Sequence, residues 1–501
     1  MFNFGYDMLV FGGVSAMPFF NRKFGVCNGQ GVCMLTQGTL AIMNSTPWLG
    51  KLVGIWIAAP IARWAGRKPV FAVIIVSSWI GVALQISATT AIQFTIGRVI
   101  CYGMTGICAS VLPMYIAETA PAQLRGFLVA QMHLQIALGQ IVASAVNVST
   151  SKLRSQASWM IPIGMQFLMP TLMAFGYFWL VESPRWLLSQ GREEQATIAL
   201  KKLRGRFGNE ENIREELVQL TKGDLNQVKG PWKEVFQGTN LRRTFISTIG
   251  MAGQQITGQA FISQYGIIFY TRMGFTNAYE LGTIGHAIAL VVSLFAAFVV
   301  DSMGRRPLLI TGGAGQAVFL FMVGAVACVA NPSWPVKYLS VVGFILWGIC
   351  FALSWAPLSY IILSEATSIR VIEKTNLFSV SISTLIALAI SASTPALMTS
   401  IGGKIGFIYG GLAIMMAVLA YIVIPEMKGK SLEELDILFK RRTPTREFKN
   451  AIVDVPPNSF VGKDTLAPAW ILLLGPTHSS ALACGFHFFL LSMHLGSIGI
   501  A

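Results

Sequence analysis

Charge is what this sequence has least of. Only 12% of its 501 residues are Asp, Glu, Lys or Arg, against 54% hydrophobic, whereas a soluble domain carries roughly a quarter charged residues. Water is therefore not the solvent for most of the chain. The scarcer sign is negative: 22 acidic residues face 37 Lys and Arg, a net charge of +15. The cations fall in short runs between apolar segments and form no continuous stripe, which argues against nucleic acid as the partner. Seven cysteines and five histidines contain no C-x-x-C pair and no metal-ligand spacing. A nucleophile elbow and a nucleotide-binding loop are also missing, so no cofactor, metal or enzymatic activity is expected. No basic region or small-residue cleavage site marks a signal peptide. Met1 leads straight into Phe2-Asn3-Phe4-Gly5-Tyr6-Asp7, which reads as the middle of a first helix whose true beginning is missing or shortened.

Long hydrophobic runs are present instead. A helix needs about 20 apolar residues to cross hydrocarbon, and uncharged runs of that length recur, for example at 69–90, 158–180 and 307–330. The expected fold is an all-α integral membrane bundle of 12 spans. They are placed at 1–20, 42–62, 69–90, 94–116, 127–146, 158–180, 244–270, 280–301, 307–330, 338–363, 375–398 and 405–424. Loops after the even-numbered spans hold Arg63, Arg67, Lys68, Arg125, a central basic cluster, Arg305, Arg306, Arg370 and Lys374. The positive-inside rule then puts both termini in the cytoplasm. Cys27 and Cys33 share a loop on the outer side, where the question of a disulfide stays open. Asn44-Ser-Thr46 and Asn147-Val-Ser149 fit the glycosylation pattern near outer loops but are expected to stay unmodified, close to the membrane.

One long polar segment, 182–243, separates a six-helix half at 1–181 from another at 244–425. Like features recur at nearly equal offsets, as parallel six-helix repeats require. Gly66-Arg67-Lys68-Pro69 returns as Gly304-Arg305-Arg306-Pro307, Glu118 as Glu365, and Glu182 as Glu426. The two hairpins are unequal in charge: Asp301 precedes the second glycine by three residues, and Arg63 holds that position in the first, which suggests a weaker first gate. A charged cytoplasmic tail follows at 426–460. Residues 461–501 turn apolar again around Trp470 to Leu474 and Phe486 to Leu491, interrupted by Gly475-Pro476 and Gly485. A translated non-coding or misspliced end and a membrane-associated tail are both open readings.

The set Gly5-Tyr6-Asp7, Gly66-Arg67-Lys68, Gly97-Arg98, Glu118-Thr-Ala-Pro121 with Arg125-Gly126, Glu182-Ser-Pro-Arg-Trp186, Gln254-Gln255, Asp301 with Gly304-Arg305-Arg306, and Pro425-Glu426 resembles the sugar porter family of the major facilitator superfamily. The likeness covers about residues 1–450. Gly258-Gln259-Ala260-Phe261 and Glu365 with Arg370 and Lys374-Thr375 look most like its fungal branch of hexose and α-glucoside carriers. The resemblance implies a monomeric secondary transporter of sugars in the plasma membrane, working by alternating access. Arg67, Glu118, Arg125, Glu182, Arg185, Asp301, Arg305, Glu365, Arg370 and Glu426 would form cytoplasmic ion-pair networks that lock one access state.

Ionisable groups inside spans are functional candidates because an unpaired buried charge is costly; Asp7, Lys51 and Arg98 are the clear cases. In proton-coupled relatives the acid of span 1 faces the arginine of span 4, so Asp7 and Arg98 take those roles, with proton symport the reading and a permanent pair in a facilitator its rival. Lys51 is a second cation that could partner Asp7. Sugar hydroxyls call for amide and hydroxyl side chains beside an aromatic wall. The resemblance assigns Gln254, Gln255 and Tyr265 in span 7 and Tyr360 in span 10, where a tryptophan is usual. Gln264, Ser263, Ser381 and Thr384 are weaker candidates. His133 stands where a sugar-binding glutamine is common and Ala260 where an asparagine is, so a carrier of quinate, inositol or another polyol, or a sugar sensor on the same fold, stays open. His286 reads as structural.

Overall fold

The computed structural model describes residues 1–451 apart from 28, 30–32, 121, 205–209, 212, 215, 219–229, 331, 369 and 431. The first six spans are Phe2–Val14 continued by Pro18–Phe24, Gln37–Trp64, Arg67–Ile86, Ala91–Thr119, Ala122–Ser151 and Ala157–Trp179. Gly238–Ile256 with Gln259–Arg272 forms span 7, and spans 8 and 9 are Ala278–Met303 and Arg305–Val326. The last three are Trp334–Ala366, Ile372–Ser400 and Ile405–Val423. Apolar side chains face lipid along these helices, among them Trp64, Phe175, Phe178 and Trp179, each more than half exposed. Hydrocarbon is the environment that makes such exposure stable.

Three spans placed as continuous helices are broken. Span 1 stops at Val14 and restarts at Pro18, because proline has no N–H to continue the ladder and disfavours helical geometry in the residue before it. Span 7 breaks at Thr257–Gly258, with Gly258 in the left-handed region at φ 98°. In span 10 the interruption is at Ser354. Hydropathy averages over such breaks because the residues that make them are small and uncharged.

The two halves pack alike. Spans 1 and 5, 2 and 4, and 3 and 4 touch in the first half; spans 7 and 11, 8 and 10, and 9 and 10 touch in the second. Spans 2 and 4 meet through glycines, and a Cβ on Gly50 or Gly54 would come within 2.1 or 2.0 Å of the carbonyls of Val99 and Gly103. Apolar association has little drive in lipid, so small residues that let backbones approach hold helices together. Across the halves, span 2 lies on span 11, span 5 on span 8 and span 1 on span 7. Beyond span 1, Val26–Cys27 pairs with Cys33–Met34 and a Cys27–Cys33 disulfide closes the loop. Asn44 and Asn147 are both buried inside the bundle, out of reach of a glycosylating enzyme. The apolar tail expected at 461–501 lies outside the described residues.

Candidate functional site

Span 7 gathers the polar side chains. A helix interrupted at membrane depth survives only against protein or a polar cavity, and four glutamines, each less than a tenth exposed, flank the Thr257–Gly258 break: Gln254, Gln255, Gln259 and Gln264. Gln254 Nε2 donates to the Ala356 carbonyl at 3.2 Å, and its Oε1 accepts from Gln255 Nε2 at 3.3 Å. Ser391 Oγ donates to Gln264 Oε1 at 3.0 Å, and the Tyr265 hydroxyl donates to the Ser391 carbonyl at 2.9 Å. Gln255 Oε1, Gln259 Oε1, Gln264 Nε2 and Thr257 Oγ1 are left buried with no protein partner. Asn44 of span 2 has both its amide atoms unbonded as well. Each such atom costs about 1–3 kcal/mol if nothing satisfies it.

Tyr265 is thus committed to span 11, while Gln255 and Gln264 keep free valences. Tyr360 is half-buried on span 10. Two tryptophans of span 10 pack onto span 7: Trp355, whose ring a Cβ on Gly253 would meet at 2.0 Å, and Trp347, whose Nε1 donates to the Thr257 carbonyl at 3.0 Å. His133 is half-buried with its Nδ1 unbonded. Ser263, Ser381 and Thr384 donate their hydroxyls to the carbonyls of Gln259, Leu377 and Val380 in their own helices. The His286 Nδ1 shares a hydrogen with the Gly282 carbonyl at 2.7 Å.

The ionisable residues of the first half do not pair as the resemblance implies. One Asp7 oxygen accepts from Gln166 Nε2 at 3.4 Å and the other has no partner. Arg98 donates to the Met43 carbonyl and lies 3.9 Å over the Phe11 ring. Among the described residues no ion pair joins Asp7 to Arg98 or to Lys51, although all three are buried. Lys51 stands over Phe4 at 4.3 Å and Trp48 at 5.1 Å; the aromatic faces stabilise its charge and occupy it.

At the basic face the hairpin residues are bonded twice over. Arg67 reaches Glu118 through Nη2 at 2.6 Å and Nε at 2.9 Å, and its Nη1 donates to the Ala62 carbonyl. Glu182 accepts the backbone N–H groups of Arg67 and Lys68 at 2.8 and 3.0 Å, capping the start of span 3, where a carboxylate also meets the positive end of the helix dipole. Arg305 reaches Glu365 at 2.9 Å, and Glu426 accepts the N–H groups of Arg305 and Arg306 at 3.0 Å. Gly66 and Gly304 both turn at φ 94°, and a Cβ on either would strike the capping carboxylate, at 2.6 and 2.8 Å.

Other members of the expected network go elsewhere. Arg370 pairs with Glu234 of the linker at 3.1 Å, because the Glu365 carboxylate is turned to Arg305. Arg185 has a buried Nε without a partner. The side chains of Arg125 and Asp301 lie outside the described residues. Arg63 is exposed, and its carbonyl accepts from Trp186 Nε1 at 3.0 Å, beside the Arg67–Glu118 lock.

Contacts between the halves occur toward both faces. Toward the basic face Trp56 Nε1 donates to Ser381 Oγ at 3.1 Å, and its ring stacks 5.8 Å from Trp232 of the linker. Toward the opposite face the Tyr279 hydroxyl donates to the Gly13 carbonyl at 3.0 Å, Ser144 and Thr283 share a hydrogen bond of 2.7 Å, and Lys152 pairs with Glu280 at 3.4 Å. Gln166, Asn44, Gln259, Trp355 and Trp56 escaped the sequence reading. Gln259 stood inside a quoted motif, and Trp355 precedes Ala-Pro in span 10; the others carry no sequence signal beyond a polar or aromatic residue within a span.

The family model described as "Sugar (and other) transporter" matches residues 1–439. The chain is 29% identical over 482 residues to the high glucose sensor RGT2 of Saccharomyces cerevisiae, covering 93% of this chain and 62% of that protein. It is 27% identical over 455 residues to the low-affinity glucose transporter HXT3 of the same yeast, covering 87% of this chain and 80% of the relative. Among solved structures it is similar to the proton:xylose symporter XylE, with a TM-score of 0.71 and 24% identity over 87% of this chain and 96% of that one.

Proposed function

The chain belongs to the sugar (and other) transporter family, and from that premise we propose that it carries a hexose-type sugar across the plasma membrane, coupled to protons, by alternating access. It is a transporter with the major facilitator fold, and not an enzyme. The observation that carries the substrate class is the set of unbonded amide and hydroxyl atoms around the break in span 7. A sugar offers donors and acceptors in the same small volume and removes their desolvation cost. His133 and Tyr360 are held as further contacts on spans 5 and 10.

Proton coupling is assigned to Asp7. Its carboxylate has one neutral donor and one bare oxygen, so it changes charge without breaking an ion pair. Arg98 acts on it through space from span 4, and Lys51 acts, if at all, only through that field. Alternating access needs the two sets of cross-half contacts to part in turn: Trp56–Ser381 and Trp56–Trp232 toward the basic face, and Tyr279–Gly13, Ser144–Thr283 and Lys152–Glu280 toward the other. With the basic face cytoplasmic by the positive-inside rule, both termini are cytoplasmic and the hairpin locks act on the inner gate.

The test is uptake of labelled glucose, maltose, xylose, inositol and quinate in a yeast lacking its own sugar carriers, at acidic and neutral external pH. Expected is uptake of at least one hexose that rises at acidic pH, falls with an uncoupler, and loses both responses in Asp7→Asn. Transport indifferent to pH in both proteins would leave a facilitator. A sugar-sensing role is the second reading, favoured by the similarity to the yeast high glucose sensor; correct surface delivery with no uptake of any of the compounds would favour it.

A further inference from the structure

Behind the transport pathway the chain makes a clamp whose chemistry is unfinished. After span 12, the helix Leu432–Lys440 and the segment to Ala451 fold back onto the basic end of span 7. Leu435, Leu438, Phe439 and Phe448 are buried there against Ile246, Leu358 and neighbouring apolar residues. Two adjacent arginines at the start of span 7 receive the clamp, and they are treated differently. Arg243 has a counter-charge in Asp436 at 2.8 Å. Arg242 ends on neutral oxygens alone: Nη1 donates to the Thr443 carbonyl at 2.8 Å and Nη2 to the Thr445 hydroxyl at 3.0 Å. Its guanidinium also lies beside the paired rings of Phe439 and Phe448, at 5.7 and 5.5 Å from their centres. Among the described residues no carboxylate pairs with it. A half-buried cation fixed by its fork on a hydroxyl is a site short of one anion.

The flanking sequence says where that anion comes from. Thr445 follows Arg441-Arg442-Thr443-Pro444, with arginines four and three residues ahead of the hydroxyl, a charge pattern that kinases with acidic substrate grooves read. The segment 441–450 has no regular secondary structure, and Arg441, Arg442, Pro444, Arg446 and Glu447 are exposed, so a kinase reaches it once the Thr443 and Thr445 bonds to Arg242 open. Its position on the basic face puts it with cytoplasmic ATP.

We infer that Thr445 is a phosphorylation site and that Arg242 is the residue built to hold the phosphothreonine, closing the C-terminal clamp on span 7. In the step, Thr445 Oγ1 attacks the γ-phosphorus of ATP in a basophilic protein kinase. A new O–P bond forms, the bond from that phosphorus to the β–γ bridging oxygen breaks, ADP leaves, and the hydroxyl proton passes to the kinase base. The product carries close to two negative charges and three acceptor oxygens at the end of a guanidinium fork, the geometry that suits bidentate pairing. Arg446, which now donates to the Tyr421 hydroxyl at 3.3 Å, is the second cation in reach along the chain.

The test uses the full-length transporter in nanodiscs of neutral lipid, treated with a basophilic kinase and ATP. Fragment mass spectrometry locates the phosphate, and amide hydrogen exchange follows residues 434–451. Expected is a phosphate on Thr445, none there in Thr445→Ala, and exchange slowed about tenfold by one charge-assisted contact; phosphatase should reverse it. Arg242→Gln should accept the phosphate without the slowing, and Arg242→Lys should show a partial effect. No phosphate on Thr445, unchanged or faster exchange in the phosphorylated protein, or full slowing in Arg242→Gln would each overturn the inference. So would equal slowing of unphosphorylated protein by anionic lipid in the nanodisc, which would make Arg242 a headgroup contact.

Discussion

At the basic face the first and second halves share an arginine fork and a carboxylate cap. Arg67 forks onto Glu118 while Glu182 caps span 3, and Arg305 forks onto Glu365 while Glu426 caps span 9. Inside the bundle they part. The first half buries Asp7, Lys51 and Arg98, whereas around the break in span 7 the second buries glutamines, serines and threonines. Machinery needed in both halves, a lock that pins two helix ends together, has stayed symmetrical. The interior has not: Asp7, Lys51 and Arg98 all belong to the first half, and the four glutamines beside the helix break to the second.

The most severe way to break the symmetry is to remove one acid from a lock. Glu118→Ala strands Arg67 in a pair whose side chains are 10% and 7% exposed, and losing one member of such a buried pair costs about 3–5 kcal/mol. Glu365→Ala should cost less, since its pair is 12% and 21% exposed; thermal unfolding of the detergent-solubilised variants measures the order, and equal losses would mean that burial does not set it. Next in size are the turn glycines. Gly66→Ala and Gly304→Ala put a side chain at φ 94° and against a capping carboxylate, so each should lower stability by about 1–2 kcal/mol from conformation alone, and by similar amounts in both halves. A loss in one half only would show that the two locks are not equivalent.

Lys51→Met sharpens the other side of the comparison. An apolar replacement keeps the packing against Phe4 and Trp48, so stability should move by about 1 kcal/mol or less, and the pH profile of uptake should stay where it was. A displaced profile would put Lys51 in electrical contact with Asp7. Smallest of all is Arg63→Asp: at an exposed position away from special features the change should stay within about 0.5 kcal/mol. A several-fold change in transport rate would support a first gate weakened by the cation.

The hairpins were legible in the sequence because their chemistry is local. Gly-Arg-basic between two hydrophobic runs has one way to turn, and the equal offsets between halves announced the repeat. The acids that complete each lock were legible too, as Glu118, Glu182, Glu365 and Glu426 are the few carboxylates at span ends. The pairing of Arg370 was not, since its partner Glu234 comes from the linker and nothing in the spacing of either residue records the encounter.

By itself, then, the amino-acid order determined that this chain lives in a bilayer, crosses it in two related sets of helices and turns its basic loops to one side, since each of these follows from composition, period and charge along the chain. Tertiary structure alone decided that Asp7 bonds Gln166 and stands apart from Arg98, that Lys51 rests on aromatic rings, and that Trp355 packs onto span 7. Inside a bundle almost every neighbour of a helix is distant in sequence. A side chain's partner there is settled by which helix faces meet and where a helix breaks, and pattern along the chain carries little of either.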